Sequence, residues 1–246
     1  MGNKVDFFIV GCQKGGTVSM AYNLNQHPNI HLPEGEPHFF DRLHFTPEYN
    51  RYHSKFKLGG NIVNGESTPS NGFIGIAIDR IVKYNPDAKF IYLLREPVSR
   101  AYSQWNMYKQ GGRIKESFSD FFHRDEVIDL SEIKSNGMYP QQRGFYHEHI
   151  KHILTKVDSE NLLILISEDV RKNSELNYSK ILKFLNVNPH QNLTSIQEKH
   201  VRKYSSEISR SDFMMGKEVF DKHNEKLYNL LGYEIKEWET KYEQFR

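Results

Sequence analysis

Short apolar runs alternate along this chain with longer stretches whose apolar residues recur every three or four positions. VDFFIV (5–10), AKFIYLL (88–94) and NLLILIS (161–167) are too short and too β-prone for helices and read as buried strands. NIVNGES (61–67) adds a shorter, more polar strand that leads into the turn TPSNG. The 3.6-residue pattern predicts helices over 17–26, stopping before His27-Pro28, and over 73–84, ending near Asn85-Pro86. Thr46-Pro47 offers an N-cap and first-turn pair for a helix over 46–56, and Pro97 starts one that Gly111-Gly112 stops near 110. Further helices are predicted over 139–156, 174–185 and 213–231, with a last short one in EIKEWETKYEQF (234–245). HLPEGEPHFFD (31–41), with two prolines and a glycine, is a loop. Strands that are apolar throughout and alternate with helices imply a parallel sheet covered on both faces. The expected architecture is α/β and three-layered, a single domain over 1–246 with a helical C-terminal part. In such sheets ligands lie at the carboxyl ends of strands, here near 10, 66 and 94.

Composition narrows the function. Apolar residues at 37% support a sizeable core, and a net charge of +2 provides no overall pull toward nucleic acid. One cysteine, Cys12, rules out an internal disulfide and suits a reducing compartment. The N-terminus MGNKVDFFIV has no signal-peptide pattern, and no run of about 18 apolar residues suggests a membrane span. A cytoplasmic protein is expected, with its oligomeric state unreadable.

Candidate chemistry enters at two strand ends. GCQKGGTVSM (11–20) follows the first strand and precedes the first helix. A strand, a glycine loop and a helix form a phosphate cradle: backbone N–H groups face the anion and the helix dipole adds to the attraction. Lys14 brings a full charge, Gly15 and Gly16 allow close approach, and Thr17 can donate its hydroxyl. The spacing is not GxxxxGK[ST], because the lysine precedes the glycine pair, and the strand over 88–94 ends in Arg95-Glu96 rather than in a magnesium-binding aspartate. On sequence alone, a glycine-rich turn with a surface lysine stays open. In YLLREPVSRAYSQW (92–105), Arg95 leaves the sheet edge and Ser103 lies two turns into the next helix. A planar guanidinium fork and a hydroxyl suit a second phosphate. Arg100 fits a structural ion pair better.

Together VGCQKGGT and LLREPVSRAYSQW resemble the 5′-phosphosulfate loop and the 3′-phosphate motif of sulfotransferases that use 3′-phosphoadenosine 5′-phosphosulfate (PAPS). The chain is most similar to the heparan-sulfate type and its bacterial relatives. EGEPHFFD (34–41), GESTPSN (65–71), RGFYHEHIKHIL (143–154) and KLYNLLGYEIKEW (226–238) extend the resemblance over nearly the whole chain. It implies a P-loop-like fold, PAPS as donor, PAP as product, a small-molecule or carbohydrate acceptor and no metal. By the same resemblance, Lys14, Gly15, Gly16, Thr17 and Val18 would hold the 5′-phosphosulfate, and Arg95 and Ser103 the 3′-phosphate. Two departures stand out. Ser67 replaces a lysine that helps at the family's catalytic centre, and the family's disulfide-bearing loop is absent. The stretch KHVRKYSS (199–206) is expected to cover the nucleotide instead, with Arg202 as the contact.

The resemblance puts the catalytic base on Glu36, with His38 as the alternative, and Lys14 would stabilise the leaving oxygen. The acceptor cleft is expected from residues 31–56 and 67–73. HEHIKH (147–152) lacks the HExxH spacing and reads as a solvated helix face rather than a metal site. Cys12 reads as a buried spacer, and the aromatics of WNMY and FSDFF as core. Two other readings remain: a small nucleotide or metabolite kinase, and a nucleotide- or glycan-binding module without catalysis.

Overall fold

The computed structural model describes residues 4–124, 127–129, 132–133, 137–189, 197, 199, 204 and 206–245. Five strands, β1 (Phe7–Gly11), β2 (Ile30–His31), β3 (Val63–Ser67), β4 (Lys89–Leu94) and β5 (Leu162–Ile166), form one parallel sheet in the order β2-β3-β1-β4-β5. Phe7 pairs with Gly65 on one side of β1 and with Lys89 on the other. The β1–β4 register shifts between Ile9 and Gly11, where β1 gives way to its loop. The chain leaves β1 toward β3 and later returns to build β4 on the other flank. The carboxyl ends of β1 and β4 therefore frame a topological switch point, the place where open α/β sheets bind ligands.

Alternating strand residues serve two cores. Phe8, Val10, Phe90, Tyr92 and Leu94 face α3 (Gly75–Tyr84), α4 (Pro97–Gln110), α6 (Tyr146–Leu154), α9 (Arg210–Leu231) and α10 (Lys236–Glu243). Phe7, Ile9, Ile91, Leu93 and Leu165 face α1 (Thr17–Leu24) and α8 (Ser174–Phe184). Two helix-covered faces explain why these strands read as continuous apolar runs. The helix expected over 46–56 shrinks to α2 (Tyr49–His53). Two short helices escape the periodicity: α5 (Phe118–Phe122) and α7 (Ser167–Lys172). α5 has its three phenylalanines in the core, as expected for FSDFF.

The helix expected over 139–156 is broken. Tyr139 has φ 43°, Pro140 follows it, and a single 3₁₀ turn over Gln142–Gly144 precedes α6. A Cβ on Gly144 would stand 2.6 Å from the Phe220 ring, so α9 presses on the backbone at this corner. The face expected to be solvated is also partly core. His149 is buried and hydrogen-bonded with the Tyr92 hydroxyl at 2.9 Å. Arg100 is structural, as its helix position suggested, yet it forms no ion pair among the described residues. It is fully buried and donates to Gln104 Oε1 and to the Pro140 carbonyl.

Candidate active site

At the end of β1 the chain must turn within five residues and enter α1. The Gly15 amide closes a turn onto the Cys12 carbonyl at 2.8 Å. A Cβ on Gly15 would meet Cys12 Sγ at 2.9 Å, so only glycine fits there. Gly16, at φ 99°, caps α1 in the left-handed region without any side-chain cap. The first N–H groups of α1 are thus free of a side-chain cap and open to an anion. Ser167 Oγ, from the start of α7, donates to the Gly15 carbonyl at 2.5 Å and steadies the loop from beneath. Cys12 is buried as expected, and burial is the largest influence on its thiol, pushing it up and away from a nucleophile's range.

The second strand end meets the first. Arg95 Nη1 donates to the Lys14 carbonyl at 2.7 Å, and the Tyr146 hydroxyl donates to the Arg95 carbonyl at 2.8 Å. Glu96 follows as the N-cap of α4, accepting from the amides of Val98 and Ser99 at 2.8 Å each. That cap aims α4 so that Ser103, two turns in, returns toward Arg95. A cavity of about 680 Å³ opens between these elements, and Lys14, Gly15, Gly16, Thr17, Val18, Glu36, Arg95 and Ser103 all line it. Lys14 Nζ reaches Met107 Sδ, also in the wall, at 3.7 Å.

His38 does not line the cavity. It is held between two carboxylates, with Nε2 3.2 Å from Glu36 Oε2 and Nδ1 2.7 Å from Asp41 Oδ2. Hydrogen bonds to Asp41 and then Glu36 push its pKa up to about 10, so it is an imidazolium at neutral pH. Asp41 also accepts from Ser70 Oγ at 2.6 Å. Burial works to raise its pKa, but its bonds to His38 and Ser70 outweigh that and lower it. Ser70, Asp41, His38 and Glu36 thus form a polar chain ending at the cavity. Ser67 sits at the end of β3 with its hydroxyl buried and unpartnered among the described residues.

Several residues went unseen in the sequence. Ser19 and Asn23, one turn apart on α1, pin the stretch over the cavity: Ser19 Oγ accepts from the Lys199 amide at 2.8 Å, and Asn23 bonds both backbone groups of Gln197 at 2.8–2.9 Å. An i, i+4 polar pair on a helix otherwise facing the core was the available signal. Of that stretch, the described residues Lys199 and Tyr204 line the cavity. The expected contact Arg202 lies outside the described residues. The Tyr204 phenol sits beside Ser103 and Arg95 in the cavity wall. Burial is the largest influence on it, raising its pKa, but Arg95, Ser103 and Lys14 together outweigh this and lower it.

A parallel sheet with a glycine cradle after β1 and an arginine–serine pair after β4 places two sets of anion-compatible donors on one cavity. The family described as "Sulfotransferase domain" matches residues 4–231. Human heparan sulfate glucosamine 3-O-sulfotransferase 3B1 is 29% identical over 161 residues, 65% of this chain and 40% of that protein. Human bifunctional heparan sulfate N-deacetylase/N-sulfotransferase 2 is 26% identical over 203 residues, 76% of this chain and 22% of the relative. The chain therefore spans well under half the length of these relatives. A solved sulfotransferase from Alicyclobacillus acidocaldarius superposes with TM-score 0.79 at 22% identity, covering 96% of this chain and 99% of that one. Mouse sulfotransferase SULT7A1, solved complexed with PAP, gives TM-score 0.52 at 19% identity over 76% of this chain and 60% of its own. This chain belongs to the family of PAPS-dependent sulfotransferases, and its fold is the P-loop-like sulfotransferase fold.

Proposed function

We propose that the protein transfers the sulfuryl group of PAPS to a hydroxyl of a carbohydrate acceptor. One observation carries this reading: the cradle over 14–18, the Arg95–Ser103 pair and the carboxylate Glu36 converge on a single cavity. Its volume, about 680 Å³, lies in the usual range for a site that encloses a nucleotide-sized ligand. The names of both relatives point to a glycan acceptor, and the 3-O-sulfotransferase favours a hydroxyl on it. The kinase reading is weaker, because at the end of β4 stands Arg95, spending one N–H on the Lys14 carbonyl, where a magnesium-binding aspartate would be needed.

In this mechanism Glu36 takes the proton of the acceptor hydroxyl as the oxygen attacks sulfur in line. The S–O bond to the 5′-phosphate breaks, and charge collects on the bridging oxygen. Lys14 stabilises that charge, a contribution that is usually about 3–4 kcal/mol of the barrier. His38 does not serve as the base, because an imidazolium has no lone pair to offer. It holds Glu36 oriented, with Asp41 behind it. The cradle over 15–18 would take the 5′-phosphosulfate, and Arg95 with Ser103 the 3′-phosphate.

A labelled-PAPS assay over glycan, lipid and phenol acceptors, paired with calorimetry for PAP, tests the reading. Lys14→Ala should lower kcat by 10²-fold or more. Glu36→Gln should abolish turnover while PAP affinity stays within about threefold, a change smaller than the loss of one hydrogen bond to a charged group. Equal losses of turnover and binding in Glu36→Gln would make that residue structural, and unchanged turnover in Lys14→Ala would remove its role.

A further inference from the structure

Outside the donor cavity, the first turn of α6 and the middle of α9 bring together a second set of chemistry-bearing groups. One nitrogen of His147, one nitrogen of His223 and a carboxylate oxygen of Glu148 all lie within 4.8 Å of one another. None of the three lines the cavity. The two rings have centroids 5.2 Å apart, and Phe145 stacks on His223 at 3.5 Å with the planes 2° apart, so the His223 ring is held in one plane. His223 is 9% exposed, and its Nδ1 has no partner among the described residues; the buried Nδ1 of His147 has none either. Two buried imidazole nitrogens left without hydrogen bonds are costly unless something else engages them. The 3.8 Å between His147 Nε2 and Glu148 Oε1 is too long for a hydrogen bond.

We propose that His147, Glu148 and His223 form a binding site for a zinc-class divalent transition metal that ties α6 to α9. Two imidazoles and one carboxylate are a zinc ligand set, and they disfavour magnesium and calcium, which take oxygen ligands. Donors at the corners of a triangle no wider than 4.8 Å lie about 2.8 Å or less from its centre. Small side-chain rotations of roughly 1 Å therefore bring them to the ~2.0–2.1 Å of zinc–ligand bonds. Lys151, Lys222 and Lys226 oppose a cation here, while the Glu148 carboxylate and Asp129 beside it favour one. Glu148 is a third exposed, which leaves a path for the ion and a water for the fourth position. The site could not be read from HEHIKH, because the third ligand is more than 70 residues away, and His149 and His152 of the same stretch turn to Tyr92 and to the Gly75 carbonyl instead.

The test is calorimetry of chelator-stripped full-length protein with zinc chloride alone, supported by visible absorption after adding cobalt(II) chloride. One tight equivalent of zinc per chain, a cobalt d–d band and a rise in Tm with zinc are expected. Zinc affinity should fall at least tenfold in His223→Ala and in Glu148→Gln, with PAP affinity unchanged within twofold. Glu148→Gln is a shape-conserving change at a side chain one third exposed, so it keeps the test decisive if His223→Ala fails to fold. Absence of a zinc equivalent in the wild type, or equal zinc affinity in wild type and Glu148→Gln, would overturn the proposal.

Discussion

At the scale of single residues, the site is a set of groups whose charge state is held by neighbours. His38 illustrates it. Its pKa in the folded chain, about 10, is above the ordinary 6.5, so the proton it holds favours the folded state. That stabilisation is complete below pH 6.5, declines as pH rises and is gone above about 10. Urea denaturation of wild type and His38→Gln across this window should show the difference between them shrinking with pH, and a constant difference would break the link. Tyr204 makes a second case. Its phenol engages Arg95 and Ser103, the same two donors a 3′-phosphate would need. Phenol and phosphate therefore compete, and Tyr204→Phe should tighten PAP binding by the net value of a hydrogen bond, roughly two- to tenfold. Weaker binding by calorimetry would instead make Tyr204 a phosphate contact. The cradle and the arginine–serine pair were legible because backbone geometry imposes glycines and charges at set spacings. The support behind His38 was not: Asp41 bonds His38 and in turn accepts from Ser70, in a second loop that only the fold brings to it.

At the scale of elements, legibility followed burial. β1, β4 and β5 are covered on both faces and announce themselves as apolar runs, and α4 matches its expected bounds because Pro97 and Gly111 mark both ends. β2 spans two residues and pairs with β3 at the sheet edge, too few side chains for any periodicity. The break before α6 carried a local signal, Pro140 after Tyr139 at positive φ, which a helix drawn over 139–156 on apolar spacing alone passes over. The most consequential junction is the start of α4, where one carboxylate, Glu96, takes two backbone amides and the Ser99 hydroxyl while fully buried. Glu96→Ala leaves those amides bare and should cost about 1–2 kcal/mol, read by denaturant midpoint. PAP affinity should fall with it, because the cap aims Ser103. Glu96→Gln keeps an acceptor and should recover most of both. A Glu96→Ala variant with wild-type midpoint would show that packing alone positions α4.

At the scale of the molecule, the C-terminal helix is tied to the donor site through two side chains. Trp238 on α10 is fully buried, its ring 6.0 Å from that of Tyr146, whose hydroxyl donates to the Arg95 carbonyl. Its Nε1 donates to Glu168 Oε2 at 3.3 Å, and the other oxygen of Glu168 accepts from the Glu96 amide at 3.1 Å. Both routes end at the Arg95–Glu96 turn, one from each side. Removing the indole opens a large cavity and frees Tyr146 and Glu168 together. Trp238→Ala should therefore cost about 3–5 kcal/mol in stability. Trp238→Phe, which keeps the ring contact but drops the donor to Glu168, should lose less. The two routes separate in binding: if the ring contact dominates, Trp238→Phe keeps PAP affinity and Tyr146→Phe lowers it. If the Glu168 link dominates, Trp238→Phe and Glu168→Gln weaken PAP binding alike. Wild-type PAP affinity in a folded Trp238→Ala would show that α10 stabilises the fold without positioning the turn.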